Sequence, residues 1–304
     1  MEKLVSVIVC TYNRAKYLEK CLESLHQQTY KNFEIIVVNG PSTDETSQVI
    51  EKFPHLKIIN QEQLKGLSNA RNLGITAAKG DIIAYIDDDA IANQDWLERI
   101  MNTYETIEPQ PVCIGGKIEP IWEMARPEWL EDTLLSQFSV LDISKSPIFL
   151  KEKHLFGTNM AFEKNVLKSI GGFSENLGRK GDILLSGEDD MIQDILRNLG
   201  YHCFYHPEIR VRHHIPKERL TKKWLLKRCY WQGISDAFTD YLSNSSWSKM
   251  NRIIRLGKRM LWSVMVNIFL ILTSKKKRSG FYYLCLLTQY LGYFVGLIKA
   301  IKIE

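Results

Sequence analysis

The first ninety residues alternate between short, continuous apolar runs and segments whose apolar residues have helical spacing. The runs are rich in β-branched residues, as in Leu4–Cys10 and Phe33–Val38, and Ala15–Gln28 between them has the helical pattern. Runs without a polar face are typical of strands buried on both sides, in a parallel sheet covered by helices. The pattern therefore predicts an α/β fold with a mostly parallel central sheet flanked by helices.

Further elements continue this alternation along the chain. Ser42 and Glu45 have the spacing of a capping box, which predicts a helix that ends near Phe53. The other predicted strands and helices are, in order, Leu56–Ile59, Leu67–Ala78, Asp81–Ile86, Val112–Ile118, Leu155–Phe162, Asp190–Leu199 and Tyr201–Tyr205. Beyond Pro216 the pattern becomes helical and basic.

Polar clusters directly follow three of the predicted strands. They are Thr11-Tyr12-Asn13-Arg14, Asn39-Gly40-Pro41-Ser42 and Asp87-Asp88-Asp89. Ligands of parallel sheets bind at the carboxyl ends of the strands, so we expect these clusters to meet in one site.

The three successive aspartates repel one another unless a cation compensates their charge. On an extended chain Asp87 and Asp89 point to one side and Asp88 to the other. Two carboxylates on one side can hold Mg²⁺ or Mn²⁺ and leave positions open for diphosphate oxygens. A solvated acidic loop or a helix N-terminus would also favour aspartates. The position beside two other strand-end clusters favours the metal site.

The order of the motifs resembles that of family 2 glycosyltransferases with the GT-A fold, from about Val5 to His214. The segments that carry the likeness are Thr11–Arg14, Ser68–Ile75, Tyr85–Asp89, Gly157–Met160, Gly171–Phe173 and Gly187–Asp190. The resemblance implies that a sugar moves from a nucleoside-diphosphate sugar to a hydroxyl acceptor. It also implies a donor site that contains Thr11, Tyr12, Asn13, Arg14, Asn39, Arg71, Asp87 and Asp88, and a Mg²⁺ or Mn²⁺ ion held by Asp87 and Asp89.

The resemblance assigns the catalytic base to Asp189, with Glu188 positioning the acceptor or the base. A single displacement assisted by a base inverts the anomeric carbon. The alternative is that these acidic residues only cap the helix that follows them. The family commonly has an aspartate where this chain has Asn39, and an amide can still donate to and accept from a nucleobase.

A histidine often completes the metal shell of GT-A enzymes. Here His213 and His214 follow a predicted strand, and we expect His213, the more strand-bound of the two, to be the ligand. The alternative is a surface histidine pair next to Pro216.

The resemblance also divides the chain. We expect a GT-A catalytic domain over residues 1–215, with a nucleotide and metal half to about residue 110 and an acceptor half over 111–215. Residues 216–304 form a helical C-terminal region. The Q-x-x-R-W motif of processive relatives is absent from the sequence, which favours transfer of a single sugar. A sugar or lipid-linked acceptor in envelope polysaccharide or glycolipid assembly fits such an enzyme.

The C-terminal region is basic and apolar. Residues 241–304 contain eleven Lys and Arg against one acidic residue, so the rest of the chain has a net charge of about −5. The apolar segment Met260–Thr273 is too short to span a bilayer, and Phe281–Ile298 is borderline at 18 residues. Positive charges flank both, which favours helices lying on the cytoplasmic leaflet. The alternative is a helical hairpin packed on the enzyme or in a homodimer.

Other classes of protein fit the sequence less well. An acidic body with a basic, aromatic tail is not typical of nucleic-acid binders. The six scattered cysteines and the short first apolar run indicate a reduced, cytoplasmic protein without a signal peptide. No glycine-rich loop follows the first strand, as a nucleotidyltransferase or a dinucleotide oxidoreductase would require. A catalytically silent nucleotide-sugar sensor or scaffold remains the alternative, although it has no need of a base.

Overall fold

The computed structural model describes residues 3–243, 265 and 280–301. Nine strands and eight α-helices lie within them. The strands are β1 (Val5–Thr11), β2 (Phe33–Asn39), β3 (Lys57–Asn60), β4 (Ile82–Tyr85), β5 (Ala90–Ala92), β6 (Cys113–Trp122), β7 (Ile148–Leu150), β8 (Met160–Glu163) and β9 (Cys203–Ile215). The helices are α1 (Ala15–His26), α2 (Thr46–Glu51), α3 (Leu67–Ala77), α4 (Trp96–Thr106), α5 (Lys164–Ser169), α6 (Glu188–Asn198), α7 (Lys222–Ser243) and α8 (Gly280–Ile301).

One sheet joins these nine strands in the order β3-β2-β1-β4-β8-β6-β9-β5, with β7 paired to β9. The first four strands in this order are parallel, as the apolar runs predicted. Beyond β4 the sheet is mixed, because β8 runs antiparallel to both β4 and β6 while β6 and β9 are parallel. The sheet is continuous across residue 110, and β9 ends at Ile215.

Helices cover both faces of the sheet. Alternate residues of a strand point to opposite faces, so a strand that is apolar throughout needs packing partners on both sides. Val5, Val7 and Val9 of β1 pack in one core cluster with α1 and α4, whereas Ile8 packs in the other with α3 and α6. Each of these strand residues is at most 1% exposed. Burying an aliphatic side chain to this extent contributes roughly 1.5–3 kcal/mol.

The start of α2 corrects one expectation. Ser42 and Glu45 do not form a capping box, since α2 begins at Thr46 and no side-chain cap joins Glu45 to it. Asp44 accepts from the Thr46 backbone N–H at 3.1 Å instead. Ser42 donates to Asn39 Oδ1 at 2.8 Å, so its hydroxyl stabilises the loop after β2 and does not cap the helix.

The C-terminal helices α7 and α8 lie side by side and run in the same direction. A third core cluster contains Leu225 and Cys229 of α7, Cys285 of α8 and the end of β9, so the pair packs on the sheet domain. Residues Gly280–Ala300 are long and apolar enough to cross a membrane, by length and composition only. Apart from residue 265, the predicted segment Met260–Thr273 lies outside the described residues.

Candidate active site

A cleft of about 490 Å³ lies at the carboxyl ends of β1, β2 and β4. The ends of β1 and β2 are level, because Thr11 pairs in register with Asn39 and accepts from the Gly40 backbone N–H at 2.8 Å. Thr11, Tyr12, Gly40 and the three aspartates line the cleft. The three strand-end clusters therefore meet, as expected for a parallel sheet.

Asp87, Asp89 and His213 form a set that can hold a metal ion, with one ligand atom of each within 4.8 Å of the others. Nδ1 of His213 lies 3.1 Å from the Phe138 carbonyl, which can only accept, so this nitrogen carries the proton. When Nε2 is unprotonated, it presents a lone pair to Asp89 Oδ1 at 3.2 Å. Two acceptors that face each other favour a shared cation, and carboxylates suit Mg²⁺ and Mn²⁺.

Asp89 is buried and yet ionised. Arg14 contacts its Oδ2 directly, and Nη2 of Arg219 lies 3.7 Å from the same oxygen. Burial alone would raise the pKa of Asp89, but the charges of His213 and Arg14 outweigh burial and hold this pKa well below its usual range. Metal ligands bind deprotonated, so these neighbours keep Asp89 in the state that a metal requires.

Asp88 stands apart from this set. Its Oδ1 lies 3.7 Å from Nη1 of Arg14. Burial raises the pKa of Asp88 to about 7, against the attraction of Arg14. Asp88 lines the cleft, where its role in binding the nucleotide remains a prediction.

Arg71 of α3 connects the metal set to the predicted base motif. Its Nη1 donates to Glu188 Oε1 at 3.1 Å and to Asp189 Oδ1 at 2.5 Å. Its Nη2 lies 3.7 Å from Asp87 Oδ1. The guanidinium of Arg71 thus bonds to the predicted catalytic base, Asp189, and lies near the predicted metal ligand Asp87.

Asp189 has both of its oxygens held in place. The Gly157 backbone N–H donates to Oδ2 at 2.7 Å while Arg71 binds Oδ1. A Cβ at position 157 would lie 1.9 Å from Arg71 Nη2, so this close approach requires glycine. Burial raises the pKa of Asp189, although Arg71 and Gly157 oppose the rise. A positioned carboxylate with a raised pKa is a stronger base than an exposed one.

Glu188 differs from its neighbour in one respect. Its Oε2 is buried and has no hydrogen-bond partner among the described residues. Burial and the charge of Asp189 raise the pKa of Glu188 to about 7. Both carboxylate oxygens of Asp189 have hydrogen-bond donors, whereas only Oε1 of Glu188 has one among the described residues.

Comparison with known proteins decides the family. Residues 6–171 match the family described as Glycosyl transferase family 2. The chain belongs to this family. The membership expected from the order of motifs is thereby confirmed.

Two relatives show the extent of the likeness to other glycosyltransferases. The chain is 31% identical over 245 residues to the glucosyl-dolichyl phosphate glucuronosyltransferase of Haloferax volcanii. The matched stretch covers 78% of this chain and 78% of that protein. It is 38% identical over 122 residues to the glycosyltransferase GlyG of Streptococcus pneumoniae. This second match covers 38% of this chain and 40% of that protein.

Solved structures confirm the GT-A glycosyltransferase fold. The mannosyltransferase PcManGT of Pyrobaculum calidifontis, solved with GDP-Man and Mn²⁺, has a TM-score of 0.62 and 18% identity, over 100% of this chain and 88% of that one. TarS of S. aureus in complex with UDP has a TM-score of 0.53 and 19% identity, over 99% of this chain and 92% of that one.

Two residues expected to bind the donor do not line the cleft of this glycosyltransferase. Asn13 accepts from the Thr43 backbone N–H at 2.7 Å and so holds the loop after β1. The amide of Asn39 donates to Asn60 at 3.2 Å and accepts from Ser42 at 2.8 Å. Both ends of the Asn39 amide thus have partners within the protein, and its contact with a nucleobase stays a prediction.

Thr158, within the motif segment Gly157–Met160, also lines the cleft. Other residues line it although the motifs did not indicate them: Gln61, Arg179, Arg219, Arg228, Gln232 and Gln289. Thr158 donates to Asp87 Oδ2 at 2.5 Å. Arg179 has a signal in the sequence, since it lies between Gly178 and Gly181, both with positive φ in a tight loop. Gln232 and Gln289 have none, because only the packing of α7 on α8 brings them to the cleft.

Proposed function

We propose that this family 2 glycosyltransferase is metal-dependent and inverting, and that its donor is a nucleoside-diphosphate sugar. The observation that carries the proposal is the position of Arg71, which contacts Asp189 and lies 3.7 Å from Asp87 in the same cleft. The groups that neutralise a leaving diphosphate and the group that accepts a proton are thereby adjacent.

The residues that would hold Mg²⁺ or Mn²⁺ are Asp87, Asp89 and His213. A bound ion would supply Lewis-acid stabilisation of the diphosphate charge. Arg71 adds a fixed positive charge beside Asp87. The presence of Mn²⁺ in the PcManGT complex supports the same choice of ion.

Asp189 acts on the acceptor. Its carboxylate takes the proton of the acceptor hydroxyl as the acceptor oxygen bonds to the anomeric carbon, and the bond from that carbon to the diphosphate breaks on the opposite face. One displacement of this kind inverts the anomeric configuration. A positioned base contributes roughly 10²–10⁴-fold to such a step.

A lipid-linked acceptor at the cytoplasmic face of the membrane fits the C-terminal region. The apolar helix α8 and the excess of Lys and Arg after residue 240 suit a peripheral contact with an anionic leaflet. The name of the Haloferax volcanii relative, glucosyl-dolichyl phosphate glucuronosyltransferase, supports a lipid-linked sugar as acceptor and a role in envelope glycan or glycolipid assembly.

A panel of nucleotide sugars tests the proposal. We expect the purified protein to release nucleoside diphosphate from at least one donor when Mn²⁺ or Mg²⁺ is present, and to stop when EDTA is added. Binding of donors without any turnover would favour the silent sensor instead. Turnover that EDTA does not affect would contradict the metal site.

A further inference from the structure

The helix pair α7 and α8 supplies part of the active-site cleft. Arg228 and Gln232 of α7 and Gln289 of α8 line the same cleft as Asp87 and Asp189. We call these three residues the amide wall. The loop before the predicted base is attached to the same helix, because the Ser186 backbone N–H donates to Ser235 at 2.9 Å.

Hydrogen bonds fix the side chains of the amide wall. Arg228 Nη2 donates to Gln232 Oε1 at 2.7 Å, and Gln232 Nε2 donates to Asp236 Oδ1 at 2.8 Å. Gln289 Nε2 donates to Asp236 Oδ2 at 2.8 Å. Asp236 thus anchors one amide from each helix, and this sets the direction of both amide planes.

The wall retains hydrogen-bonding capacity. Arg228 is 8% exposed, and its Nε is buried without a partner among the described residues. Asp236 uses only one N–H of each amide, so each glutamine keeps a second N–H. Planar amide and guanidinium groups of this kind suit the hydroxyl groups of a sugar, which both donate and accept.

Close packing places Gln289 at the wall. A Cβ on Gly233 would lie 1.8 Å from the Gln289 carbonyl oxygen, and a Cβ on Gly292 would lie 1.9 Å from that of Tyr230. Side chains are excluded at both points, so the two helix backbones touch there. The register of α8 on α7, and with it the position of Gln289, depends on these glycines.

The position of the amide wall indicates that it contacts the acceptor and not the donor. The expected donor groups lie at the ends of β1, β2 and β4, whereas the amide wall lies on the helices that hold the loop before Asp189. The base must touch the acceptor hydroxyl, so the acceptor lies on this side. Large apolar side chains are exposed on the face of α8 that points away from Gln289 and α7, at Leu284, Leu291, Phe294 and Ile298. Such a stripe suits a lipid surface, which would hold a lipid-linked acceptor near the cleft.

We propose that Arg228, Gln232 and Gln289 form the acceptor-sugar subsite, and that they bind the hydroxyl groups of a sugar carried on a lipid. The inference rests on the proposed glycosyl transfer. It makes α8 a part of the active site, in addition to any contact that it makes with a membrane.

The test uses n-octyl glycosides of glucose, galactose, mannose and N-acetylglucosamine as acceptor probes with the full-length protein. Gln232→Met and Gln289→Met remove one amide from each helix at nearly constant volume. Thr288→Val is the matched control, since Thr288 precedes Gln289 on α8 but bonds to its own helix at Leu284. Donor hydrolysis without acceptor is measured in parallel as the internal reference.

We expect both Met variants to raise the KM for the octyl glycoside about 10-fold or more, while donor KM and donor hydrolysis stay within about twofold. Saturation-transfer NMR on the wild-type protein should show contact with the sugar protons of at least one probe, and this readout does not depend on how the variants fold. An unchanged acceptor KM in both variants, an equal rise in donor KM, or no contact and no transfer with all four probes would overturn the subsite. Donor hydrolysis by the wild type would leave the proposed function intact in those cases, and its absence would remove both proposals.

Discussion

The two ends of the cleft are built in different ways. The donor end consists of the ends of β1, β2 and β4, which are neighbours in one sheet, together with His213 of β9. Its side chains are mostly charged, as at Arg14, Asp87, Asp88 and Asp89. The acceptor end consists of a loop and two helices far apart in the sequence, and amides dominate it at Gln232 and Gln289.

This difference follows from the chemistry at each end. A diphosphate and a metal ion need opposite charges at fixed positions, which the ends of parallel strands supply with short local motifs. A sugar acceptor needs hydrogen-bonding groups in a particular arrangement, which the packing of α7 on α8 supplies. In the proposed enzyme, the reaction common to the family therefore depends on the sheet, and the choice of acceptor depends on the helices.

The largest effect is expected at the junction of the two ends. Asp189→Asn should lower kcat for transfer about 10³-fold, because an amide cannot accept the proton of the acceptor hydroxyl. Donor binding, measured by thermal shift with Mn²⁺, should persist. Asp194→Asn is the control on the same helix, since Asp194 pairs with His154 and Arg197 outside the cleft. If the Asp189→Asn variant transferred sugar at more than a tenth of the wild-type rate, Asp189 would not be the catalytic base.

The donor end can be tested through its histidines. His213→Gln should weaken Mn²⁺ binding about 100-fold in the presence of nucleoside diphosphate, as followed by electron paramagnetic resonance. His214→Gln is the matched control, because His214 stacks near Tyr17 at 5.4 Å and is not in the metal set. Equal losses in the two variants would show that the effect is general and not that of a ligand.

The acceptor end can be tested through its helix contact. Gly233→Ala should force α8 away from α7, because the new Cβ would lie 1.8 Å from the Gln289 carbonyl oxygen. We expect transfer to octyl glycosides to fall about 10-fold, donor hydrolysis to change less than threefold, and stability to fall by about 1–3 kcal/mol. Gly280→Ala is the control, since nothing lies within 4 Å of a Cβ there. A uniform loss of hydrolysis and transfer would mean that the helices support the whole domain equally.

The smallest effect concerns Glu188 and pH. The pKa of Glu188 is raised from 4.5 to about 7 by burial and by Asp189, so the folded protein retains a proton that the unfolded chain releases. Stability from this group is therefore lost as the pH rises from about 4.5 to 7. Glu188→Gln should gain stability relative to the wild type between pH 5 and 8, on the order of 2 kcal/mol, in thermal unfolding without metal or nucleotide. A stability difference that does not change with pH would contradict the raised pKa.

Much of the donor end could be predicted from the sequence, because its information is local. The apolar runs gave the parallel strands around β1, and the polar residues after them gave the meeting of Thr11, Arg14 and Asp87. Local spacing misled at Ser42, whose hydroxyl bonds to Asn39 and does not cap α2. Asn39 also bonds to Asn60 and is not among the residues that line the cleft.

The acceptor end could not be predicted, since no spacing along the chain relates Gln232 to Gln289. Their proximity depends on a contact between two helix backbones that Gly233 and Gly292 permit. The aspartate triplet shows the intermediate case. Its metal set required His213, more than a hundred residues away, to be brought beside Asp89 by the pairing of β5 with β9.

The stereochemistry of donor hydrolysis tests the central claim most directly. With an α-linked nucleotide sugar that the protein turns over, time-resolved ¹H NMR can identify the first sugar anomer before mutarotation. A single displacement assisted by Asp189 predicts that the β-anomer forms first. Release of the α-anomer first would show retention and would contradict the mechanism.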